Sequence, residues 1–412
     1  MVASAAAVSD TASPAPGSPS PSAAAAAPVA RSTPARIGTG EHDCKLARGP
    51  VRLGTTGAIA IGPAEGGLLA FATNKLGAPA WETPRFPDPP KVGPASLLPK
   101  TAAAPPAVAP APAADPSQTA DAAPERTRLP ACALAGGLAF CVDAEGQIHR
   151  RREQGDDDKV VAKGRRGTPV AAAAHGGHTF YAFLANQKTT EGTIVRAFVG
   201  LDDETPIPLS EEGSGATYVG LVAREKDVLA MYIDARTALT PVHARTLRAG
   251  DAGGLVRGAD AVVLVAAGAD SVVRGALGRA ASGPAYLFVP SSPDDREYGL
   301  ITIAVDGEPK DDMQGKWSMF PSQMSSPPLG ATTGASPLRL VRARPETKDP
   351  TGPLVLELGH VEADGSFRER CVLAKAGSFA DLSVAVDDED NLWVAYTNAK
   401  GTWVEQRGRA GK

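Results

Sequence analysis

The sequence predicts an all-β fold made of repeated small antiparallel sheets. Residues 380–409 give the clearest repeat, with short strands predicted at 382–386, 392–396 and 402–406 and tight polar turns between them. Along the first of these strands, side chains alternate with a period of two, which is typical of a strand and not of a helix. Weaker copies of this unit occur through the chain, and no segment shows a sustained helical period.

Seven repeat units can be marked by a short apolar strand, which we predict to be the second strand of each unit. These strands are 68–72, 138–142, 179–184, 228–233, 285–289, 354–358 and 392–396. Their spacing is irregular, but it is of the order of the ~40–50 residues that a four-stranded repeat occupies. The chain is therefore expected to form seven four-stranded sheets, and six or eight are the nearest alternatives.

The last unit has only three predicted strands before the sequence ends. A ring of sheets has to be closed, because an unpaired edge strand invites aggregation. The segment that precedes the first complete unit, residues 45–53, can supply the missing strand. We therefore predict that an N-terminal strand closes the last sheet.

Two segments of low complexity lie outside the predicted strands. Residues 1–43 are rich in Ala, Pro and Ser, and residues 94–128 form an Ala/Pro-rich insertion. Such segments bury too little apolar surface to offset the entropy cost of ordering them. We predict a disordered tail over 1–43 and one domain over 44–412 that contains a disordered insertion. The tail lacks the positive start and apolar core of a signal peptide.

The four cysteines are compatible with two disulfides or with none. Gly136 and Gly137 suit a type I′ hairpin turn, and pairing outward from this turn places Cys132 opposite Cys141. A non-hydrogen-bonded pair has Cα atoms ~4.5 Å apart, a separation that a disulfide can span. The alternative is a pair of free buried thiols.

The remaining cysteines are Cys44 and Cys371. A bridge between them would tie the closing strand to the sixth unit, and closing so long a loop is expected to stabilise the fold by about 5 kcal/mol. Both bridges together would indicate a compartment outside the reducing cytosol.

Composition excludes some classes of partner. The net charge of −4 and the pI near 5.9 disfavour nucleic-acid binding, which requires a basic surface. No run reaches the ~18 apolar residues of a transmembrane helix. We expect a monomer in the periplasm, on the cell surface or secreted, with the cytoplasm as the alternative.

No catalytic or metal motif is found. His175 and His178 flank a Gly-Gly turn without a third ligand, and residues 41–44 are too close in sequence to converge on one ion. Acidic pairs such as Asp202 with Asp203 lack the spacing of a calcium loop, so we interpret them as solvated turn residues. We predict no catalytic residue, no metal site and no cofactor.

One segment has the composition of a binding surface. Residues 312–337 hold three of the five Met residues in a Pro/Ser/Gly-rich connector. Trp317, Met319 and Phe320, which we call the Trp317 triplet, are apolar anchors without strand periodicity. Aromatic residues and Met are enriched at interfaces, so we predict that the triplet binds a partner. The alternative is a lid that packs over the core.

Taken together, residues 50–409 resemble the β-propeller superfamily. No unit carries a WD dipeptide, a Kelch pattern or a YWTD motif, so the resemblance is architectural. The pattern is also similar to secreted or lipid-anchored propellers of soil bacteria such as myxobacteria. The resemblance implies that first strands line a central channel. It also implies that the Trp317 triplet lies on the ligand-binding face and that His175 and His178 lie on the opposite one.

These observations predict a non-catalytic binding or scaffold protein of the bacterial cell envelope, with a protein or glycan ligand. The alternative is a glycosidase-like hydrolase that acts on a polysaccharide. Two carboxylates ~5–9.5 Å apart at the channel mouth would favour the hydrolase.

Overall fold

A computed structural model describes most of the repeat region. All described residues belong to one compact unit, Gly40–Lys412. They are 44–53, 58–63, 69–75, 78–81, 132–152, 157–190, 192–211, 213, 215–234, 239–251, 253–267, 276–279, 285–294, 297–320, 329–331, 338–347, 352–361, 367–379, 381–386 and 391–408. The predicted tail, 1–43, and the predicted insertion, 94–128, lie outside the described residues.

The described residues form strands and no helix, as predicted, and the strands assemble into seven antiparallel sheets. Strand β1 is Leu46–Leu53. Sheet 1 contains β2 (Ala58–Pro63), β3 (Leu69–Lys75) and β4 (Ala78–Trp81). Sheet 2 contains β5 (Cys132–Ala135), β6 (Leu138–Val142), β7 (Gln147–Arg152) and β8 (Asp158–Lys163). Sheet 3 contains β9 (Ala171–His175), β10 (His178–Thr189), β11 (Gly192–Leu201) and β12 (Ile207–Pro208).

The remaining sheets follow in chain order. Sheet 4 contains β13 (Ala216–Ala223), β14 (Val228–Asp234), β15 (Leu239–Ala249), β16 (Leu255–Arg257) and β17 (Ala261–Ala267). Sheet 5 contains β18 (Ala276–Arg279), β19 (Ala285–Asp294), β20 (Glu297–Val305) and β21 (Lys316–Phe320). Sheet 6 contains β22 (Leu329–Ala331), β23 (Leu338–Pro345), β24 (Leu354–Val361) and β25 (Phe367–Ala376). Sheet 7 contains β26 (Asp381–Val386), β27 (Leu392–Asn398), β28 (Gly401–Arg407) and β1.

Gly-Gly hairpins connect the first two strands of sheets 2 and 3. Gly136 and Gly137 have φ of 56° and 71°, and Gly176 and Gly177 have φ of 61° and 80°. Residues with a Cβ rarely adopt such angles, so these dipeptides fix the turn and the register of each hairpin. In sheet 2 that register places Cys132 opposite Cys141, as predicted.

The N-terminal strand completes the last sheet. Strand β1 pairs antiparallel with β28, and Val51 lies opposite Val404. The predicted pairing of residues 45–53 with the final unit is confirmed. The first and last described strands of the chain are therefore neighbours in one sheet.

Neighbouring sheets pack face to face through apolar side chains. Phe140 and Ile148 of sheet 2 pack against Tyr181 and Phe183 of sheet 3, and the rings of Phe140 and Tyr181 stack 4.8 Å apart. Along the chain, the first strand of each sheet lies against the first strand of the next, and β26 lies against β2. Small antiparallel sheets packed in this way are the arrangement of a β-propeller, so the resemblance is confirmed.

Two details of the sequence prediction were wrong. Residues 354–358 belong to β24, the third strand of sheet 6, and not to its second strand. The second strand, β23, was missed because it carries three arginines, which are buried or half-buried in the structure. Residues 312–337 are not a connector without strands. They contain β21, the last strand of sheet 5, and β22, the first strand of sheet 6.

Candidate functional site

The outer edge of sheet 4 is interrupted, and the interruption builds a polar cluster. Strand β16 pairs with the last residues of β15, whereas β17 pairs with its first residues. The chain crosses from β16 to β17 at Gly258–Asp260. A Cβ on Gly258 would overlap the Thr246 hydroxyl, so glycine allows this close crossing. The crossing brings the Asp260 side chain against β14 and β15.

Three side chains donate hydrogen bonds to the Asp260 carboxylate. The Tyr232 hydroxyl lies 3.0 Å from Oδ2, the His243 Nδ1 atom 2.6 Å from Oδ2, and the Arg245 Nε atom 2.9 Å from Oδ1. Arg245 also pairs with Glu211, which follows sheet 3. We call these five residues the Asp260 cluster. It joins sheets 3 and 4.

The electrostatics of the cluster keep Asp260 ionised. Burial raises the pKa of Asp260, but hydrogen bonds and charge interactions with His243 and Arg245 outweigh this effect, and its pKa lies below the ordinary value. Burial and the Asp260 charge both raise the pKa of Tyr232, which therefore stays a neutral donor.

His243 is a partly exposed member of the cluster that can contact a ligand. Its Nδ1 atom bonds Asp260, and Nε2 is the ring nitrogen that remains to bond a ligand. Within the described part of the chain, Asp260 is the only hydrogen-bond partner of the His243 side chain. Its side chain is 13% exposed and stacks on the Tyr232 ring at 4.5 Å. A carboxylate-oriented imidazole on an aromatic ring is suited to hydrogen-bond a ligand hydroxyl.

A second histidine, in sheet 2, is held between two carboxylates. His149 Nε2 lies 3.0 Å from Asp143 Oδ2, and His149 Nδ1 lies 2.9 Å from Asp158 Oδ1. Both ring nitrogens can donate only when the imidazole is protonated. Burial lowers the pKa of His149, but the two carboxylates raise it by more, so the net pKa is above the ordinary value. This ion triad fastens β8 to the end of β6.

Other buried carboxylates are also neutralised by arginine. Glu357 accepts hydrogen bonds from Arg342 and Arg344 in sheet 6. Its pKa is raised by burial and lowered more strongly by the two arginines. In sheet 7, burial raises the pKa of Glu405 despite its pairing with Arg407. Glu405 is 1% exposed, so it serves the interior of the sheet and cannot reach a ligand.

The first strands of the sheets carry very little charge. Strands β2, β5, β9, β13, β18, β22 and β26 consist mainly of Ala, Gly, Val and Leu. Asp381, the first residue of β26, is the single carboxylate among them. A glycosidase pair needs two carboxyl groups, and these described strands contain one.

The structure places the predicted site residues as follows. The Trp317 triplet lies on β21, the outermost strand of sheet 5, and its side chains lie outside the described residues. His175 and His178 flank the β9–β10 turn, and His178 Nδ1 lies 2.7 Å from Asp202 Oδ2. No group of three or more potential metal ligands occurs among the described residues.

Both predicted disulfides are present. Cys132 and Cys141 bridge β5 and β6 with a Cα–Cα distance of 4.1 Å. Cys44 and Cys371 bridge the start of the closing strand to β25 with a Cα–Cα distance of 6.0 Å.

The sequence prediction missed the Asp260 cluster. Its members come from a connection, from two strands and from the crossing between β16 and β17. The one signal in the sequence is the Gly-Ala-Asp interruption at 258–260, which precedes an apolar run.

Comparison with known proteins adds distant likenesses. Neither a protein-family model nor a curated protein matches the chain. A solved protein of unknown function from Dyadobacter fermentans is 12% identical, with a TM-score of 0.47 over 89% of this chain and 99% of that one. The six-bladed fungal lectin from Aleuria aurantia is 12% identical, with a TM-score of 0.38 over 70% and 99%. A NanB sialidase mutant from Streptococcus pneumoniae is 8% identical, with a TM-score of 0.38 over 88% and 70%.

In the segments that the structure describes, no helix is long and apolar enough to cross a bilayer.

Proposed function

We propose that the protein is a seven-bladed propeller closed by β1, and that it is a non-catalytic binding or scaffold protein of the bacterial cell envelope. Residues 44–412 form its one domain. The cyclic order of first-strand contacts supports the blade number. The two disulfides support a location in the periplasm, on the cell surface or outside the cell.

The pKa values and the partners of the buried carboxylates favour binding over hydrolysis. A glycosidase needs one carboxyl group with a raised pKa as general acid, and a second, ionised one nearby. Asp143, Asp260 and Glu357 are held below their ordinary pKa by His or Arg partners. Glu405, whose pKa is raised, is buried inside sheet 7. These groups have the arrangement of structural ion pairs.

We assign the Asp260 cluster as a binding site for a hydroxyl-rich ligand such as a glycan. His243 offers an oriented ring nitrogen, and its ring stacks on that of Tyr232. A glycan hydroxyl can hydrogen-bond the imidazole while the ring stack limits the rotation of the imidazole. The Trp317 triplet remains a predicted second contact, because apolar anchors complement polar ones at binding surfaces.

A glycan array tests this proposal with two matched variants. His243→Ala should lose binding to any glycan that the wild type retains, because it removes the oriented imidazole. His178→Ala is the control, since that histidine also bonds an aspartate but lies at the hairpin of sheet 3. Equal binding by both variants would reject the assignment of His243.

Incubation with the bound glycan tests the hydrolase alternative. New reducing ends that disappear in Asp381→Asn would establish hydrolysis at the channel. They would overturn the non-catalytic proposal.

A further inference from the structure

The closing strand β1 is attached to sheet 7 with little apolar burial. Of its eight residues, Leu53 is buried and most of the others are exposed. Its pairing with β28 also has irregularities between Leu46 and Val51. Exposed backbone hydrogen bonds contribute little net stability, because water can replace them. Another feature must therefore hold this strand in place.

A covalent latch and one arginine supply that attachment. Cys44, next to the start of β1, is bonded to Cys371 of β25. The Arg407 guanidinium, at the end of β28, donates to the carbonyl oxygen of Cys44 at 2.9 Å and to that of Leu373 at 3.3 Å. We call Cys44, Cys371 and Arg407 the N-terminal latch. The latch fixes β1 to two sheets at one corner.

The latch disulfide is more accessible than the other disulfide. Cys132 and Cys141 are 1% and 0% exposed, whereas Cys44 and Cys371 are both partly exposed. Thiol–disulfide exchange requires a thiolate to reach a sulfur atom, so a soluble dithiol attacks the latch first. The dithiol gives up two electrons and two protons and becomes a disulfide, and Cys44 and Cys371 become thiols.

We propose that the latch determines which strand occupies the edge of β28. While the disulfide is intact, β1 of the same chain pairs there. When a dithiol opens it, β1 leaves, and β28 exposes unpaired backbone groups that accept another strand. The strand that fits is β1 of a second copy.

The shape of the β28 edge selects that strand. Gly49 has φ of 87°, and a Cβ there would lie 2.8 Å from the Val404 carbonyl oxygen. A strand at this edge therefore needs glycine at that position. Four residues later, Leu53 enters a core formed with Ile59 and Trp393. A second copy presents both residues in the same register.

Two single-cysteine variants test the exchange. Cys44→Ser retains Cys371, and Cys371→Ser retains Cys44. The two proteins are mixed and oxidised, and the products are mapped by non-reducing peptide analysis. Exchange predicts a heterodimer linked between Cys44 of one copy and Cys371 of the other. A control mixture, in which the Cys371→Ser copy also carries Gly49→Val, should lose this product because its β1 no longer fits the edge.

Two results would overturn the proposal. One is the absence of the mixed linkage in a sample that retains the Cys132–Cys141 bridge, which shows that sheet 2 has formed. The other is a yield of the mixed linkage that Gly49→Val does not change, because the linkage would then come from random collision.

Hydrogen exchange on the wild-type protein gives an independent test. The β28 amides that bond β1 should lose protection after mild dithiol treatment that leaves the Cys132–Cys141 bridge intact, whereas those that bond β27 should keep it. Unchanged protection of β28 would overturn the latch.

Discussion

Replacing Glu357 by Gln should destabilise the protein strongly. The Arg342 side chain is 0% exposed, and its Nη2 and Nε atoms lie 2.7 Å and 2.9 Å from Glu357 Oε2. Arg344 adds hydrogen bonds of 3.1 Å to each carboxylate oxygen. Glutamine keeps the shape but removes the negative charge. Leaving a buried charge without its partner costs about 3–5 kcal/mol, a large part of the roughly 5–15 kcal/mol by which domains are stable.

Glu346→Gln in the same sheet is the matched control. Glu346 pairs with Lys375, and the two side chains are 37% and 54% exposed. An exposed pair contributes about 0–1 kcal/mol. Urea denaturation followed by circular dichroism measures the free energy of unfolding of each variant. Adding Arg342→Met to Glu357→Gln should recover stability, because it removes the uncompensated charge. Similar losses for Glu357→Gln and Glu346→Gln would refute the reasoning.

Three further outcomes are expected. The raised pKa of His149 contributes stability that is fully present below its unfolded pKa of about 6.5 and is lost as pH rises through the folded value. Urea denaturation at a series of pH values should show this fall in the free energy of unfolding. The pH dependence should be absent in His149→Gln. Changing all three residues of the Trp317 triplet to Ser should abolish partner binding with little loss of stability, because truncating exposed anchors costs affinity. A large drop in melting temperature would instead identify the triplet as a lid that packs over the core. Deleting residues 1–36 should leave the melting temperature unchanged, whereas deleting residues 1–55 should cause unfolding or aggregation because β28 loses its partner. Equal melting temperatures for the two truncated proteins would contradict closure by β1.

Features set by neighbours in sequence could be predicted from the sequence. The period of two identified most strands, since side chains alternate between the faces of a sheet. The Gly136–Gly137 turn and antiparallel pairing were sufficient to place Cys132 opposite Cys141. The three-stranded final unit indicated that the N-terminal strand closes the last sheet, as β1 does.

Features that depend on partners far apart in sequence were decided only by the tertiary structure. The arginines of β23 made that strand look solvent-exposed, but Glu357, on the next strand, allows Arg342 to be buried. The Asp260 cluster likewise joins Glu211 to Arg245, 34 positions later in the chain, and through it to Asp260. Hydrophobic alternation reports which face of a strand is apolar. It does not report which charges are neutralised, because that depends on the distance between side chains after the sheets have packed.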